Sequence, residues 1–316
     1  MKKEAMQFFG NQTFASIHLS NPLKSRYKSR QFIAKQQKFC IFAVMKQVII
    51  DKGQRISAYL RGFEARPGAV PLVLIHGFCE DSSLWAGLMP ASSKVPVLSI
   101  DLPGFGASAP LKQPSMRAYA EAAFSVLEEL EIDKCVIIGH SLGGYVALEM
   151  LALYSEKIAG MGLFHSHPFP DSEERKQARQ RGIEMLHSGK RDLYVAQLFP
   201  NLFSAAFAKA RPEVVQALIA NGKRQSPEGI SHALQSMMER RDQQLTLETA
   251  GCPVLFILGT EDGLLPLEQA WKAAVKPATA SVEVLSGVAH MGMFEAPEEC
   301  GAAVERFYGL CVGGMR

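Results

Sequence analysis

The sequence predicts an α/β fold with a largely parallel sheet, and three observations carry that expectation. From Met45 onward, short apolar runs alternate with helical patterns. The runs Val70 to Ile75, Val95 to Ile100, Cys135 to Ile138 and Ile158 to Phe164 are nearly continuous rather than alternating, as strands covered on both faces require. The rhythm stops between His165 and Thr249, where the chain turns charged and helical, and resumes with Val254 to Leu258 and Val282 to Leu285.

Val48 to Ile50 and Ile56 to Leu60, joined by Asp51-Lys52-Gly53, read as an opening hairpin. Ser115 to Leu130 is the clearest helix, because Ala118, Ala122, Val126, Leu127 and Leu130 mark one face. In the interrupting stretch, Ser226-Pro227-Glu228 supplies an N-cap and a proline at the first helical position, and Ile230, Leu234, Met237 and Met238 follow at helical spacing. Leu267 to Val275 and Pro297 to Tyr308 are the helices that accompany the last strands. The expected organisation is a core at residues 46–164 and 249–316, an inserted helical cap at 165–248, and an N-terminal extension at 1–45.

With 47% hydrophobic and 21% charged residues over 316 positions, the chain has the balance of a soluble globular protein. Its net charge of +3 is unevenly spread. Residues 1–45 hold eight of the 34 Lys/Arg and one of the 31 Asp/Glu, which leaves 26 against 30 in the remainder. A weakly acidic body lacks the clustered cations that grip nucleic-acid phosphates, so no nucleic-acid partner is expected. The extension is basic and acid-poor. It reads first as sequence upstream of a start at Met45, second as a disordered tail, and third as a targeting peptide. No stretch reaches the roughly 18 to 20 apolar residues of a membrane span, so no membrane partner is expected. The six cysteines form no CxxC pair and read as reduced thiols of a cytoplasmic protein. His165 and His167 flank Ser166 without a Cys or carboxylate at ligand spacing. They read as loop-edge histidines, and no metal is expected.

Gly139-His140-Ser141-Leu142-Gly143 has the G-x-S-x-G form between a strand and an apolar helix. The bare string alone is only suggestive; the strand-turn-helix context gives it weight. A turn this tight forces its apex residue into strained backbone geometry, and the flanking glycines remove side chains that would collide. A serine hydroxyl is a weak nucleophile unless a base removes its proton, so a histidine and an orienting carboxylate are required. Gly259-Thr260-Glu261-Asp262 and Gly287-Val288-Ala289-His290 each follow a strand end, where a rigid sheet presents loops to solvent. Either Glu261 or Asp262 satisfies the requirement for an acid. Two backbone NH groups should stabilise an oxyanion: that of Leu142, after the nucleophile, and one from His76-Gly77-Phe78-Cys79, with Phe78 the first choice and Cys79 the second.

These segments, with Asp101-Leu102-Pro103-Gly104-Phe105-Gly106-Ala107-Ser108, resemble the α/β-hydrolase family in its branch with a helical cap. The resemblance covers nearly all of residues 46–316. It implies Ser141 as nucleophile, His290 as general base and then acid, and Asp262, rather than Glu261, as the carboxylate orienting His290. By position, His140 beside the elbow reads as a structural side chain rather than a second base, His76 as a brace of the oxyanion turn, and Asp101 as structural. Relatives that open epoxides or remove halide carry aspartate where this chain has Ser141, which excludes those reactions. The implied function is hydrolysis of a small or medium carboxylic ester or lactone, without a cofactor. The alternatives are a C–C bond hydrolase of ring-fission diketones and a small-molecule receptor that retains the triad. Phe78 and Trp85 are expected to contact substrate. Phe199, Leu202, Phe203, Phe207, Met237 and Met238 either line an apolar pocket or pack the cap.

Overall fold

A computed structural model describes residues 8–9, 12–20, 44–50, 54–62, 70–89 and 93–313. Its centre is one sheet of ten strands among the described residues. In chain order these are β1 (Phe8–Phe9), β2 (Gln12–Ser20), β3 (Val44–Ile50), β4 (Gln54–Arg61), β5 (Leu72–Ile75), β6 (Val97–Ile100), β7 (Cys135–His140), β8 (Ile158–Phe164), β9 (Val254–Gly259) and β10 (Thr279–Leu285). The spatial order is β1-β2-β10-β9-β8-β7-β5-β6-β4-β3. From β2 to β6 every pairing is parallel, and only β1 with β2, β3 with β4 and β4 with β6 are antiparallel. The mostly parallel α/β class is therefore as expected. Strands β5, β6, β7 and β9 are buried at every position, which is why their sequences are continuous apolar runs.

The helices of the core are α1 (Met116–Glu129), α2 (Leu142–Leu153), and, after the cap, α9 (Leu267–Ala274), α10 (Gly292–Glu295) and α11 (Pro297–Gly313). Ser115 caps α1 by accepting the Ala118 NH at 3.1 Å. Helix α2 is buried on all sides, from Leu142 through Leu151, and so is apolar around its circumference. Between β8 and β9 lie α3 (Glu173–His187), α4 (Arg191–Leu198), α5 (Ala205–Ala210), α6 (Pro212–Gly222), α7 (Pro227–Met238) and α8 (Gln244–Glu248), with no strand among them. Ser226 caps α7 through the Gly229 NH, as the Ser-Pro-Glu signal anticipates.

These helices are tied to the core at specific points. Gln225 accepts the Gly106 NH at 2.7 Å, and the Gly104 and Gly229 backbones touch so closely that a Cβ on Gly104 would lie 2.5 Å from Gly229 Cα. Arg241 clasps Glu149 of α2 with two hydrogen bonds of 3.0 and 2.9 Å.

One stretch differs from expectation. Residues 12–20, inside the segment read as an unpaired extension, form β2 and run parallel to β10 over Thr279 to Leu285. Ser16 Oγ meets Ser281 Oγ at 2.7 Å, and Ser20 donates to Glu283. β10 carries backbone donors and acceptors on this side that need partners, and β2 provides them. The hairpin tip at 51–53 and most of residues 1–43 lie outside the described residues. Among the described residues, no helix is long and apolar enough to cross a membrane. Cys79, Cys135, Cys252, Cys300 and Cys311 are free thiols.

Candidate active site

Ser141 is the hinge between β7 and α2, with φ 49° and ψ −111°. This left-handed conformation is costly for a residue with a side chain, of order 1–3 kcal/mol, and persists because the surroundings over-determine it. The Ser141 NH donates to Phe164 O at 3.0 Å, and its carbonyl accepts from Ser166 Oγ at 2.8 Å. A Cβ on Gly143 would stand 2.3 Å from Ile75 O, so the start of α2 can lie against β5 only because position 143 is glycine. The Ser141 side chain is left half-buried, opening on a cavity of about 320 Å³.

His290 opens on the same cavity. Its Nδ1 donates to Asp262 Oδ2 at 2.8 Å, and its Nε2 is buried with no protein partner. The His290 NH donates to Leu202 O at 2.9 Å, so the cap holds the backbone of this loop. Glu295 supports the same loop from below by accepting the Ala289 NH at 3.1 Å and the Ser204 NH at 3.2 Å. Burial pushes the Glu295 carboxyl up, against the pull of those hydrogen bonds.

Asp262 is fully engaged. Oδ1 accepts the NH groups of Leu264 and Leu265 at 2.9 and 3.0 Å, and Oδ2 accepts Nδ1 of both His290 and His165, the latter at 3.0 Å. Burial opposes its charge, but the two imidazoles outweigh burial and hold its carboxyl well below the ordinary range. Burial presses His165 down to about 4, so it stays neutral at pH 7 and donates its single Nδ1 proton to Asp262. His165, Asp262 and His290 are metal-ligand residue types with donor atoms within 4.8 Å of one another. Both Nδ1 atoms lie in hydrogen bonds to one carboxylate oxygen, which accounts for that closeness without an ion.

The turn after β5 is braced from two sides. His76 Nε2 accepts the Leu102 NH at 2.9 Å, so its Nδ1 carries the proton and donates to Gly77 O at 2.7 Å. Glu80 Oε2 accepts the Gly77 NH at 2.8 Å and meets His140 Nδ1 at 3.1 Å, while His140 Nε2 donates to His290 O at 3.1 Å. The Nδ1 to Oε2 contact therefore needs one proton held between the two groups. Phe78 follows on this turn and lines the cavity. Leu142 is the first residue of α2, where a backbone NH has no intrahelical acceptor. Asp101 accepts the Ser82 and Ala107 NH groups at 2.8 and 2.9 Å and pins the neighbouring loop. Glu261 does not line the cavity, and its NH is bonded to Val288 O. Cys79 is buried, and burial raises its thiol well above the ordinary range, leaving it a poor nucleophile.

Trp85 departs from expectation. It is 1% exposed and lies behind the site, edge-on to Phe164 and His140 at centroid distances of 5.8 and 6.5 Å. It is not among the residues that line the cavity. Phe199 is buried in the cap, and Phe203 stacks on Phe207 at 5.2 Å, so these aromatics pack the cap itself. Tyr194, Leu198, Leu202 and Met237 are what the cap presents to the cavity, together with Arg175 and Arg179 of α3.

A family model for the alpha/beta hydrolase fold matches residues 70–297. The chain belongs to the α/β-hydrolase family. The bifunctional biotin-biosynthesis protein BioHC of Cellvibrio japonicus is 28% identical over 246 residues, 75% of this chain. This chain covers 47% of that protein's length. A 2-hydroxy-6-oxononadienedioate/2-hydroxy-6-oxononatrienedioate hydrolase of a Pseudomonas species is 25% identical over 273 residues, 83% of this chain and 95% of its own. The malate-bound structure of a thermophilic esterase from Thermogutta terrifontis superimposes with a TM-score of 0.77 at 25% identity, covering 85% of this α/β-hydrolase and 98% of the esterase.

Glu80 and the two cap arginines escaped the sequence reading, and His165, read there as a loop-edge histidine, is placed by the structure against Asp262. His165 follows the end of β8 just as Asp262 and His290 follow the ends of β9 and β10, so the strand-end rule could have marked it. Glu80 and the arginines carry no comparable local signal.

Proposed function

We propose that this α/β-hydrolase cleaves a small or medium carboxylic ester or lactone through an acyl-enzyme on Ser141. One observation carries the reading. Ser141, at the apex of a strained strand-to-helix turn, shares a cavity with His290, whose Nδ1 proton is anchored on Asp262 while its Nε2 has no protein partner. A lone pair so placed is free to take the serine proton.

In the first step Ser141 Oγ attacks the carbonyl carbon and its proton passes to His290 Nε2. The oxyanion is received by the NH groups of Phe78 and Leu142. As the tetrahedral intermediate collapses, His290 returns the proton to the leaving alkoxide. Water then attacks the acyl-serine, giving its proton to His290, and the carboxylic acid departs as Ser141 regains its proton. Asp262 keeps His290 in the tautomer that leaves Nε2 unprotonated and stabilises the imidazolium that forms.

The decisive experiment is turnover of a panel of aryl esters, lactones and ring-fission diketones by the native enzyme and Ser141→Ala, with mass analysis of the trapped acyl-serine. Multiple turnover on esters or lactones, cut at least about 10⁴-fold in Ser141→Ala, is expected. Equal turnover by the variant would overturn the reading. A second reading, C–C cleavage of a diketone at the same serine, is favoured by the similarity to the oxononadienedioate hydrolase; turnover confined to diketones would select it.

A further inference from the structure

The cavity wall opposite the sheet carries more positive charge than its carboxylates balance. Arg179 and Arg240 both bond to Asp171, whose side chain is buried, so one carboxylate serves two guanidiniums. Arg175, four residues before Arg179 on α3 and on the same cavity, has no carboxylate partner among the described residues. Its contacts are neutral groups, Leu264 O and His167 Nε2 at 3.4 Å. The remaining carboxylates near the cavity are engaged elsewhere: Glu80 with Gly77 and His140, and Asp262 with four donors.

Counting protons at His167 sharpens the imbalance. The Phe169 NH points at Nδ1 from 3.2 Å, while Arg175 Nη1 and the Tyr145 hydroxyl approach Nε2 at 3.4 and 3.3 Å. Burial, reinforced by the charges of Arg240 and Arg175, holds this ring down to about 3, so it is neutral and has one lone pair. That lone pair can accept from Phe169 or from Arg175, not from both. If it faces Phe169, Nε2 carries a proton, and Arg175 Nη1 faces a donor and needs an acceptor. Arg240 stacks over the Tyr145 ring at 4.1 Å and adds further positive potential at this corner. A cavity wall with an unpaired guanidinium and a surplus donor is complementary to an anionic acceptor.

We propose that the substrate of the Ser141 site carries a carboxylate, bound by Arg175 with the Tyr145 hydroxyl beside it. This rests on the acyl-transfer reading above and narrows its substrate class to acid-bearing esters or lactones. The alternative role for Arg175 is a latch joining the cap to the loop of Asp262 through Leu264 O, and the test must separate the two.

Mono-phenyl esters of succinate, glutarate and adipate are compared with phenyl pentanoate, hexanoate and heptanoate, and 4-carboxyphenyl butyrate with 4-acetylphenyl butyrate. These sets place the carboxylate on the acyl and alcohol sides in turn. Each is assayed with the native enzyme, Arg175→Gln and Arg175→Lys. In at least one set, Arg175→Gln should lower kcat/KM for the acid ester about 10- to 100-fold more than for its neutral partner, the range for losing a hydrogen bond to a charged group. Arg175→Lys should recover part of the loss. In parallel, binding of glutarate and glutaramide to Ser141→Ala is measured by calorimetry, where glutarate should bind more tightly and lose that advantage with Arg175→Gln.

Equal losses on acid and neutral esters would show a latch and overturn the proposal while leaving the acyl-transfer reading intact. Arg175-dependent glutarate binding with no ester turnover would sustain the carboxylate site and overturn acyl transfer. Should the glutamine variant fail to fold, the lysine variant decides: a charge-retaining side chain that keeps the preference for acid esters supports the site, and its loss of that preference with neutral turnover intact overturns it.

Discussion

His165 donates its Nδ1 proton to Asp262 across 3.0 Å, on the same oxygen that His290 reaches at 2.8 Å. Two imidazoles thus share one carboxylate oxygen, and only His290 is expected to cycle through its protonated form. On the proposed mechanism His165 is a positioning residue that limits rotation of the carboxylate and draws off part of its negative charge. His165→Leu should lower kcat about 10-fold, on the scale of one hydrogen bond to a charged group, with KM changed less. His165→Asn, which keeps an NH donor, should recover part of the loss. A shift of the acid limb of the kcat profile in the leucine variant would separate positioning from a purely structural role, which would leave that limb in place.

Acid should destabilise the fold through two buried histidines. Burial holds His165 at about 4 and His167 at about 3, both below the ordinary 6.5. As pH falls through 6.5, the unfolded chain takes up protons that the folded chain refuses. Their contribution is complete above 6.5 and is lost towards 4. Each proton is worth up to about 1.4 kcal/mol per pH unit. Glu295, pushed up by burial, works in the opposite sense above 4.5, and Asp262, held low, acts only below the ordinary carboxylate range. Urea midpoints should therefore fall between pH 7.5 and 5.5, and less steeply in His165→Asn. A midpoint independent of pH would contradict this account.

Gly77 offers a main-chain test of the proposed oxyanion turn. A Cβ there would lie 2.5 Å from His140 Nδ1 and 2.6 Å from Glu80 Oε2, so the turn or those side chains must move. Gly77→Ala should reduce kcat about 100-fold, the effect of a displaced oxyanion donor. Circular dichroism should report a retained fold, because the obstructing atoms are side chains and not backbone.

Asp171 compensates Arg179 and Arg240 where little water reaches. Asp171→Asn leaves two partly buried cations without their carboxylate and should cost about 3–5 kcal/mol of stability. The exposed pair Arg117 and Glu121 on α1 provides the control, since Glu121→Gln should change the urea midpoint by less than about 0.5 kcal/mol. Equal effects at the two sites would show that the cap cluster is as solvated as the surface.

Much of this molecule is legible in one dimension, because local periodicity reports burial. Strands β5 to β9 are covered on both faces, and their continuous apolar runs announce it. The Gly-His-Ser-Leu-Gly turn is readable for a related reason: its steric demands fall on neighbours in sequence, and only glycine meets them. Strand β2 was not readable in this way. Its pairing to β10 depends on a vacant sheet edge more than 250 residues away, and its basic flanks suggested a tail.

The parts decided by tertiary structure are those where charge or volume is balanced across the fold. Trp85 could border the cavity or back it; packing against Phe164 and His140 chose the second. Arg175 and Arg179 are two more helix-surface cations in the sequence, and only the closing of α3 over the cavity, where Asp171 is committed to Arg179 and Arg240, leaves Arg175 in surplus. Amino-acid order alone determined strands β3 to β10, the elbow and the strand-end loops, because short-range sterics and local hydrophobic patterning dictate them. Which buried groups share a proton or lack a partner followed only from folding, since hydrogen-bond partners here come from segments tens to hundreds of residues apart.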